Sequence, residues 1–205
     1  PLTIIIIFLI CASAQDVSAK SEPGINTEGA ARADEIKTAS VALVVKEKGR
    51  LTLSIDGLGT NDVAGGIIQV EKPPGATVKN AYLAAASAGG WGQLVDGDVK
   101  VDGFDVSWDI STPSDIFSWN HWADVTSIVK AKIDASPPGR VDFVITEVDT
   151  GSIDGEIMAV IFYDPSQSIE NTIMLFFGAQ DVEGDTFDII LDELIRAPSL
   201  LDLSI

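Results

Sequence analysis

From Ser40 onward the chain is divided into short runs in which apolar and polar residues alternate, each stopped by Gly, Asp, Asn or Pro. That rhythm restricts it to strands almost everywhere. In RLTLSIDG, Leu51, Leu53 and Ile55 alternate with Thr52, Ser54 and Asp56, the two-residue period of a half-buried strand. SVALVVKEKG precedes it and reads as a second strand joined to it at Lys48-Gly49. GGIIQVEK and ATVKNAYLAAAS are two more, separated by Pro73-Pro74-Gly75, which neither a helix nor a central strand can cross. In DVKVDGFDVSWD, Asp102-Gly103 predicts a type I′ hairpin, whose two central residues both take positive φ. RVDFVITEV, GEIMAVIFYD, NTIMLFFGA and GDTFDIILDE complete the set.

One segment has a different period. In WADVTSIVKAKIDASPPG, Val125, Ile128, Val129 and Ile133 recur at helical spacing. Asp124 is placed to cap the first turn, Lys130 and Lys132 lie near the negative end of the helix dipole, and Pro137-Pro138-Gly139 stops the helix. Many short strands with a single helix predict an all-β fold: an antiparallel β-sandwich, jelly-roll or immunoglobulin-like, with one short α-helix near 124–134. No fixed-period repeat is present.

The N-terminal PLTIIIIFLICASAQD has the apolar run and the small-residue Ala12-Ser13-Ala14 site of a secretory signal peptide, and the run is too short to span a bilayer. Cleavage is expected after Ala14; Ile10 is too bulky for the position before a lipidated cysteine, so Cys11 is not read as a lipoprotein site. The basic region and initiator Met are missing, so the start reads as clipped. Residues 15–39 are small, polar and charged, and read as a flexible leader, leaving 40–205 as the β-sandwich domain. The mature chain has no cysteine, so an exported domain of this kind depends on its core rather than on disulfides. Thirteen basic against 31 acidic residues give a formal charge of −18, which disfavours nucleic acid and anionic lipid as partners. No second stretch is long and apolar enough to anchor the chain in a membrane.

Three groups of residues are candidates for chemistry. Asp149-Thr150-Gly151 spells the catalytic triplet of aspartic peptidases, which need two carboxylates sharing one proton. No second copy is present, and too few residues separate Gly151 from Phe176-Phe177-Gly178 for the rest of that architecture. The triplet therefore reads as a strand-to-strand loop, with a peptidase using Asp149 as the remote alternative. Acidic clusters come next: Asp96, Asp98 and Asp102; Asp149, Asp154 and Glu156; Asp181, Glu183 and Asp185. Calcium takes several carboxylate and carbonyl oxygens from such loops, which makes Asp149, Asp154, Glu156, Asp181 and Asp185 calcium candidates, although no EF-hand or nonapeptide spacing occurs. In DVKVDG the acids alternate with Val99 and Val101, as on a solvated strand face. The third group is Trp91, Trp108, Trp119 and Trp122 beside the single histidine, His121. Trp91, Trp119 and Trp122 are the candidates for stacking on sugar rings; packing of the helix onto the sheet is the competing role. His121 has no nucleophile or ligand companions that would make a triad or zinc site.

The order of LSIDGLGT, KPPGATVKNAYLAAAS, VKVDG, WADVTSIVKAKID, SIDGEIMAVIFYDPS, NTIMLFFGAQ and GDTFDIIL resembles a group of uncharacterised exported surface proteins of bacteria and archaea, many with PEP-CTERM-type sorting signals. The resemblance implies an extracellular β-rich domain with no established activity, and it carries over no catalytic residue. Members of that group have a short Gly/Ser loop in place of Asp-Thr-Gly, and they continue beyond the position of LLDLSI. The chain is accordingly expected to be a fragment, incomplete at its C-terminus. These observations predict a secreted cell-surface or extracellular-matrix protein, structural or adhesive and non-catalytic, whose partners are extracellular polysaccharide or other surface proteins. A glycan-binding module using exposed tryptophans, with calcium as its one candidate cofactor, is the alternative.

Overall fold

The computed structural model describes residues 3–9, 41–59, 64–88, 90, 92–114, 117–149, 151–179 and 201–204. In chain order the strands are β1 (Thr3–Leu9), β2 (Ala42–Gly49), β3 (Leu51–Gly59), β4 (Gly65–Lys72), β5 (Thr77–Ser87), β6 (Val99–Val101), β7 (Phe104–Asp105), β8 (Ile110–Pro113), β9 (Trp119–Asp124), β10 (Gly139–Glu147), β11 (Ile153–Tyr163), β12 (Asn171–Phe177) and β13 (Leu201–Ser204). Helix α1 (Thr126–Ala135) lies between β9 and β10. The strands form three sheets, ordered β3-β11-β5-β9-β8, β4-β10-β6-β7 and β13-β1-β12-β2. The first two are antiparallel throughout; in the third, β1 runs parallel to both neighbours while β12 and β2 are antiparallel. Among the described residues no sheet closes into a barrel, and the architecture is the all-β sandwich that the alternation predicts.

The sandwich has three layers, with the five-stranded sheet in the middle. Its strands send alternate side chains to opposite faces. Met158, Val160 and Phe162 of β11, with Leu83 and Ala85 of β5, join Ile68 and Val70 of β4 and Val141, Phe143 and Ile145 of β10 in one core. Ala159 and Ile161 of β11, with Tyr82 and Ala84 of β5, join Val45 of β2 and Ile173, Leu175 and Phe177 of β12 in a second core on the other side. Burial on both faces is why AYLAAAS and MAVIF read as continuous apolar runs rather than alternating ones. Helix α1 packs on the first core through Val129 and Ile133.

Two bulges keep this partition consistent. Ile161 pairs with Asn80 but Phe162 pairs with Val78, so Lys79 is an extra residue in β5. The insertion lets Val78 and Ala81, three positions apart, face the same core. The Val78 main chain is also bound by the helix: Asp134 Oδ1 accepts its N–H at 2.8 Å, and Lys130 donates to its carbonyl. At the other end, Ile153 pairs with Ser87 and Gly155 with Ala86, leaving Asp154 as the second extra residue. A Cβ on Gly155 would lie 2.3 Å from the Leu58 carbonyl oxygen, so only glycine admits this approach of β3.

Asp102 and Gly103 have φ of 50° and 84°, as the type I′ hairpin between β6 and β7 requires. Asp124 Oδ1 accepts the Thr126 N–H at 2.8 Å at the start of α1, in line with its expected capping role, although Val125 occupies the N-cap. At the other end of the helix, Lys72 Nζ donates to the carbonyls of Asp134 and Ser136, which no helical N–H reaches. The strands that read as neighbours across Lys48-Gly49 and across Pro73-Pro74-Gly75 do not pair with one another: β2 and β3 belong to different sheets, as do β4 and β5. Thr3–Leu9, inside the segment assigned to a signal peptide and excluded from the fold, is strand β1 in the uncleaved chain, in register with Asn171–Phe177. The leader at 15–39 and the run GDTFDIILDE lie outside the described residues.

Candidate functional site

The helix and the Pro-Pro-Gly turns occupy one end of the sandwich; polar side chains gather inside the other. One row across the middle sheet reads Leu58, Glu156, Ala85, His121 and Ser111 on β3, β11, β5, β9 and β8. Residues directly opposite one another in a sheet project to the same face. Leu58 and Ala85 belong to the first core, so Glu156 and His121 project into it as well. Ala85 is the only side chain between them in the row, and it is small. From the facing sheet, β10 alternates Val141, Phe143, Ile145 and Glu147 inward, so its last inward residue is an acid.

Glu147 and Glu156 form a buried carboxyl pair, 7% and 1% exposed. Burial, then the charge of Glu147, then a hydrogen bond between the two side chains push the Glu156 carboxyl up to about 9. Two ionised carboxylates are acceptors only, so the pair bonds internally only while it retains a proton. At pH 7 it does. His121 is fully buried, and its Nε2 accepts the Leu94 N–H at 3.0 Å, which places the imidazole proton on Nδ1. Desolvation lowers its pKa to about 4, against opposing contributions from the Ala85 and Trp119 main chains and from Asp98. The ring is therefore neutral at pH 7, tilted against Trp108 with centroids 5.2 Å apart.

The loops over this end are tied to each other. Ala88 N–H donates to Ser152 O, Gly90 N–H to Phe117 O, Val148 N–H to Asp98 O and Glu147 N–H to Ala64 O. Asp149 belongs to this cover but not to the acid pair. It is exposed, and its Oδ1 accepts the Gly151 N–H at 3.1 Å while its carbonyl accepts the Ser152 hydroxyl. This is an Asx-type turn, the strand-to-strand loop that the sequence suggests for 149–151.

The other candidates separate by burial. Trp122 is 4% exposed, stacked on Tyr82 at 4.9 Å and tilted against Phe177 at 5.5 Å. Its assignment as an exposed sugar platform is corrected: it faces the second core, because it opposes Ala84 on the far side of β9 from His121. Trp119 is half-buried at the loop end, where its N–H donates to Ser87 Oγ. Trp91, Asp181, Glu183 and Asp185 lie outside the described residues. Asp96 Oδ1 accepts the Trp108 N–H, Asp98 Oδ2 the Val95 N–H and Asp102 Oδ1 the Val144 N–H, while Asp102 Oδ2 pairs with Lys132 at 2.6 Å. Asp154 sits in its bulge with Oδ2 buried, and Glu156 points inward, so the calcium candidates Asp149, Asp154 and Glu156 split between the surface and the core. Among the described residues no three His, Cys, Asp or Glu side chains converge in a way that could hold a metal ion. Glu147 was absent from the sequence candidates, although the alternation V-D-F-V-I-T-E places it on the apolar side of its strand.

What fold and site define is a layered all-β domain carrying a buried acid pair and a neutral histidine beneath one set of loops. No family model, no curated protein and no solved structure matches the chain. No helix among the described residues is long and apolar enough to cross a membrane.

Proposed function

We propose that this chain is a secreted protein of the cell surface or extracellular matrix, structural or adhesive and non-catalytic. The observation that carries the reading is how the acids of the loops are used. Asp96, Asp98 and Asp149 each accept a main-chain N–H of their own loop or its neighbour, and Asp102 accepts the Val144 N–H of β10, so these carboxylates hold the main chain in shape. The apolar leader with its small-residue site, the charge of −18 and the order of motifs from LSIDGLGT onward support an exported protein. Fluorescently labelled protein retained saturably on whole cells or isolated matrix, with no turnover of peptide, ester or glycoside substrates, is the expected result. Turnover that disappears on Asp149→Ala would overturn it.

Recognition of extracellular polysaccharide is a second reading, favoured by one feature: Trp119 is only half-buried at the loop end. A glycan array probed with the native protein and with Trp119→Ala tests it. Equal signals from the two proteins dismiss that role for Trp119.

A further inference from the structure

The third sheet contains a strand that a signal peptidase would remove. β1 lies between β12 and β13, parallel to both, and Thr3–Leu9 belongs to the apolar run that precedes Ala12-Ser13-Ala14. Cleavage after Ala14 cuts the only covalent link between β1 and the rest of the chain. β12 then keeps β2 on one side, paired from Asn171 with Gly49 to Phe177 with Ala42, and presents unpaired N–H and C=O groups on the other. Every residue of β12 is buried, so the new edge runs along a mostly apolar strand, the kind that captures another strand or aggregates.

The registers indicate what fills it. Ile4 to Ile7 of β1 pair with Thr172 to Leu175 on one side and with Leu201 to Ser204 on the other. β13 is therefore already parallel to β12 and level with its middle, one strand away. We propose, on the reading of residues 1–14 as a signal peptide, that their excision lets β13 move in by one strand spacing, about 4.8 Å. The sheet then closes as β13-β12-β2, with Leu201–Ser204 paired directly to Thr172–Leu175.

Three features favour β13 over a strand from another molecule. The 23 residues 178–200 connect β12 to β13, more than the dozen or so that a parallel connection needs. That connection already reaches across β1, so the closed sheet asks for a shorter span. A strand on the same chain also meets the edge without the translational cost that a separate molecule pays. Finally, β13 suits the end of a sheet: it is four residues long and carries a charge, Asp202, and short charged strands blunt an edge against further pairing.

The test uses the full chain with Met174→Cys and Leu203→Cys, and with Cys11→Ser to remove the one native thiol. Both positions pair with Ile6, so β1 holds them about 9.6 Å apart, two strand spacings, beyond the roughly 7 Å that a disulfide can bridge. After closure they are direct neighbours. Under mild oxidant the uncut chain is expected to keep both thiols, and the chain cut by purified signal peptidase to lose both to a disulfide within one molecule. A cut chain that keeps its thiols, a disulfide between two molecules, a disulfide in the uncut chain, or a 1–14 peptide still bound in the native mass spectrum would each overturn the closure. A chain that the peptidase leaves intact instead refutes the signal-peptide reading, and the closure falls with it. Should the cysteine variant fail to fold, amide exchange of the native chain decides. After cleavage, the amides of Thr172–Leu175 directed at β1 stay protected in a monomer if β13 has moved in; free exchange, or protection only in a dimer, refutes it.

Discussion

Asp164 closes β11 and begins the passage of the chain from the middle layer to β12, and its removal has a cost that can be worked from its contacts. The side chain is 2% exposed. Oδ1 accepts the Ser166 N–H at 2.9 Å and the Ser166 hydroxyl at 2.6 Å. Oδ2 accepts the Thr52 hydroxyl at 2.6 Å and, at 3.4 Å, the Gln167 amide. Burial alone would raise its pKa, but hydrogen bonds from Ser166, Thr52 and Gln167 outweigh it and hold the carboxylate below its ordinary value. A hydrogen bond to a charged group contributes about 1.5–3 kcal/mol, and the three short ones here share one acceptor and are not additive. With the freed donors partly able to reach water, Asp164→Ala should cost about 3 kcal/mol at pH 7. Urea unfolding followed by tryptophan fluorescence measures this as a lower midpoint at unchanged slope. The carboxylate's contribution is present above the unfolded aspartate value and lost as pH falls through the depressed folded one, so the gap between native and variant should narrow as pH falls below the ordinary aspartate range. A gap below about 1 kcal/mol at pH 7, or one that does not narrow on acidification, would refute the assignment.

Other substitutions probe the layers separately. Gly155→Ala places a methyl against the Leu58 carbonyl and should destabilise by on the order of 2–4 kcal/mol, read in the same melt, by displacing the end of β3 from β11. Trp122→Ala empties the contact between Tyr82 and Phe177 and should cost about 3–5 kcal/mol; an unchanged melting temperature would contradict its burial. His121, buried and neutral, binds its proton only near pH 4 when folded but near 6.5 when unfolded, so native stability should fall by on the order of 2–4 kcal/mol as pH drops across that window. His121→Gln, compared by urea unfolding at pH 7 and pH 4.5, should lose less over the same drop.

Which parts of this architecture the residues announce, and which they conceal, follows from the range of each signal. Alternation is a property of a strand and its own two faces, so Leu51-Leu53-Ile55 and Val141-Phe143-Ile145 identify strands directly. Asp102-Gly103 identifies a hairpin because its positive φ values are local. Partner choice is not local. Lys48-Gly49 and Pro73-Pro74-Gly75 look like hairpin turns, yet each carries the chain from one layer to another, and nothing in the flanking residues distinguishes the two outcomes. The bulges at Lys79 and Asp154 are equally hidden, since each lies in the short polar stretch at the end of its strand, outside the apolar run. The site was half legible for the same reason. Glu156 drew notice as an acid beside Asp149 and Asp154, but its partner Glu147 emerges only when the inward faces of β10 and β11 are set against each other. The aromatic cluster misled at Trp122 because adjacent residues in a strand point opposite ways, and His121 took the face with the polar pair.

The absence of cysteine from the described residues raises the question of what keeps three layers in register, and the answer lies in where the chain changes layer. The passage from β2 into β3 and the return from β11 into β12 both connect the middle sheet to the sheet carrying β12, and they lie side by side: Asp164 N–H donates to Arg50 O at 2.9 Å, and Asn171 Nδ2 donates to Leu51 O at 2.7 Å. At the far end of β12, Asn120 Nδ2 of the middle sheet reaches Gly178 O at 2.8 Å. On the opposite side, where no strand pairing joins β3 to β4, Asp56 Oδ2 and Ser54 Oγ accept the Gln69 and Glu71 N–H groups at 2.7 and 2.9 Å. Each tie joins a side chain or main-chain group of one layer to the main chain of another, so each specifies register as well as adding attraction. Apolar packing alone would permit sliding, because leucine, valine and isoleucine contacts are non-directional. The layers are thus fixed by a few directional bonds at the crossings.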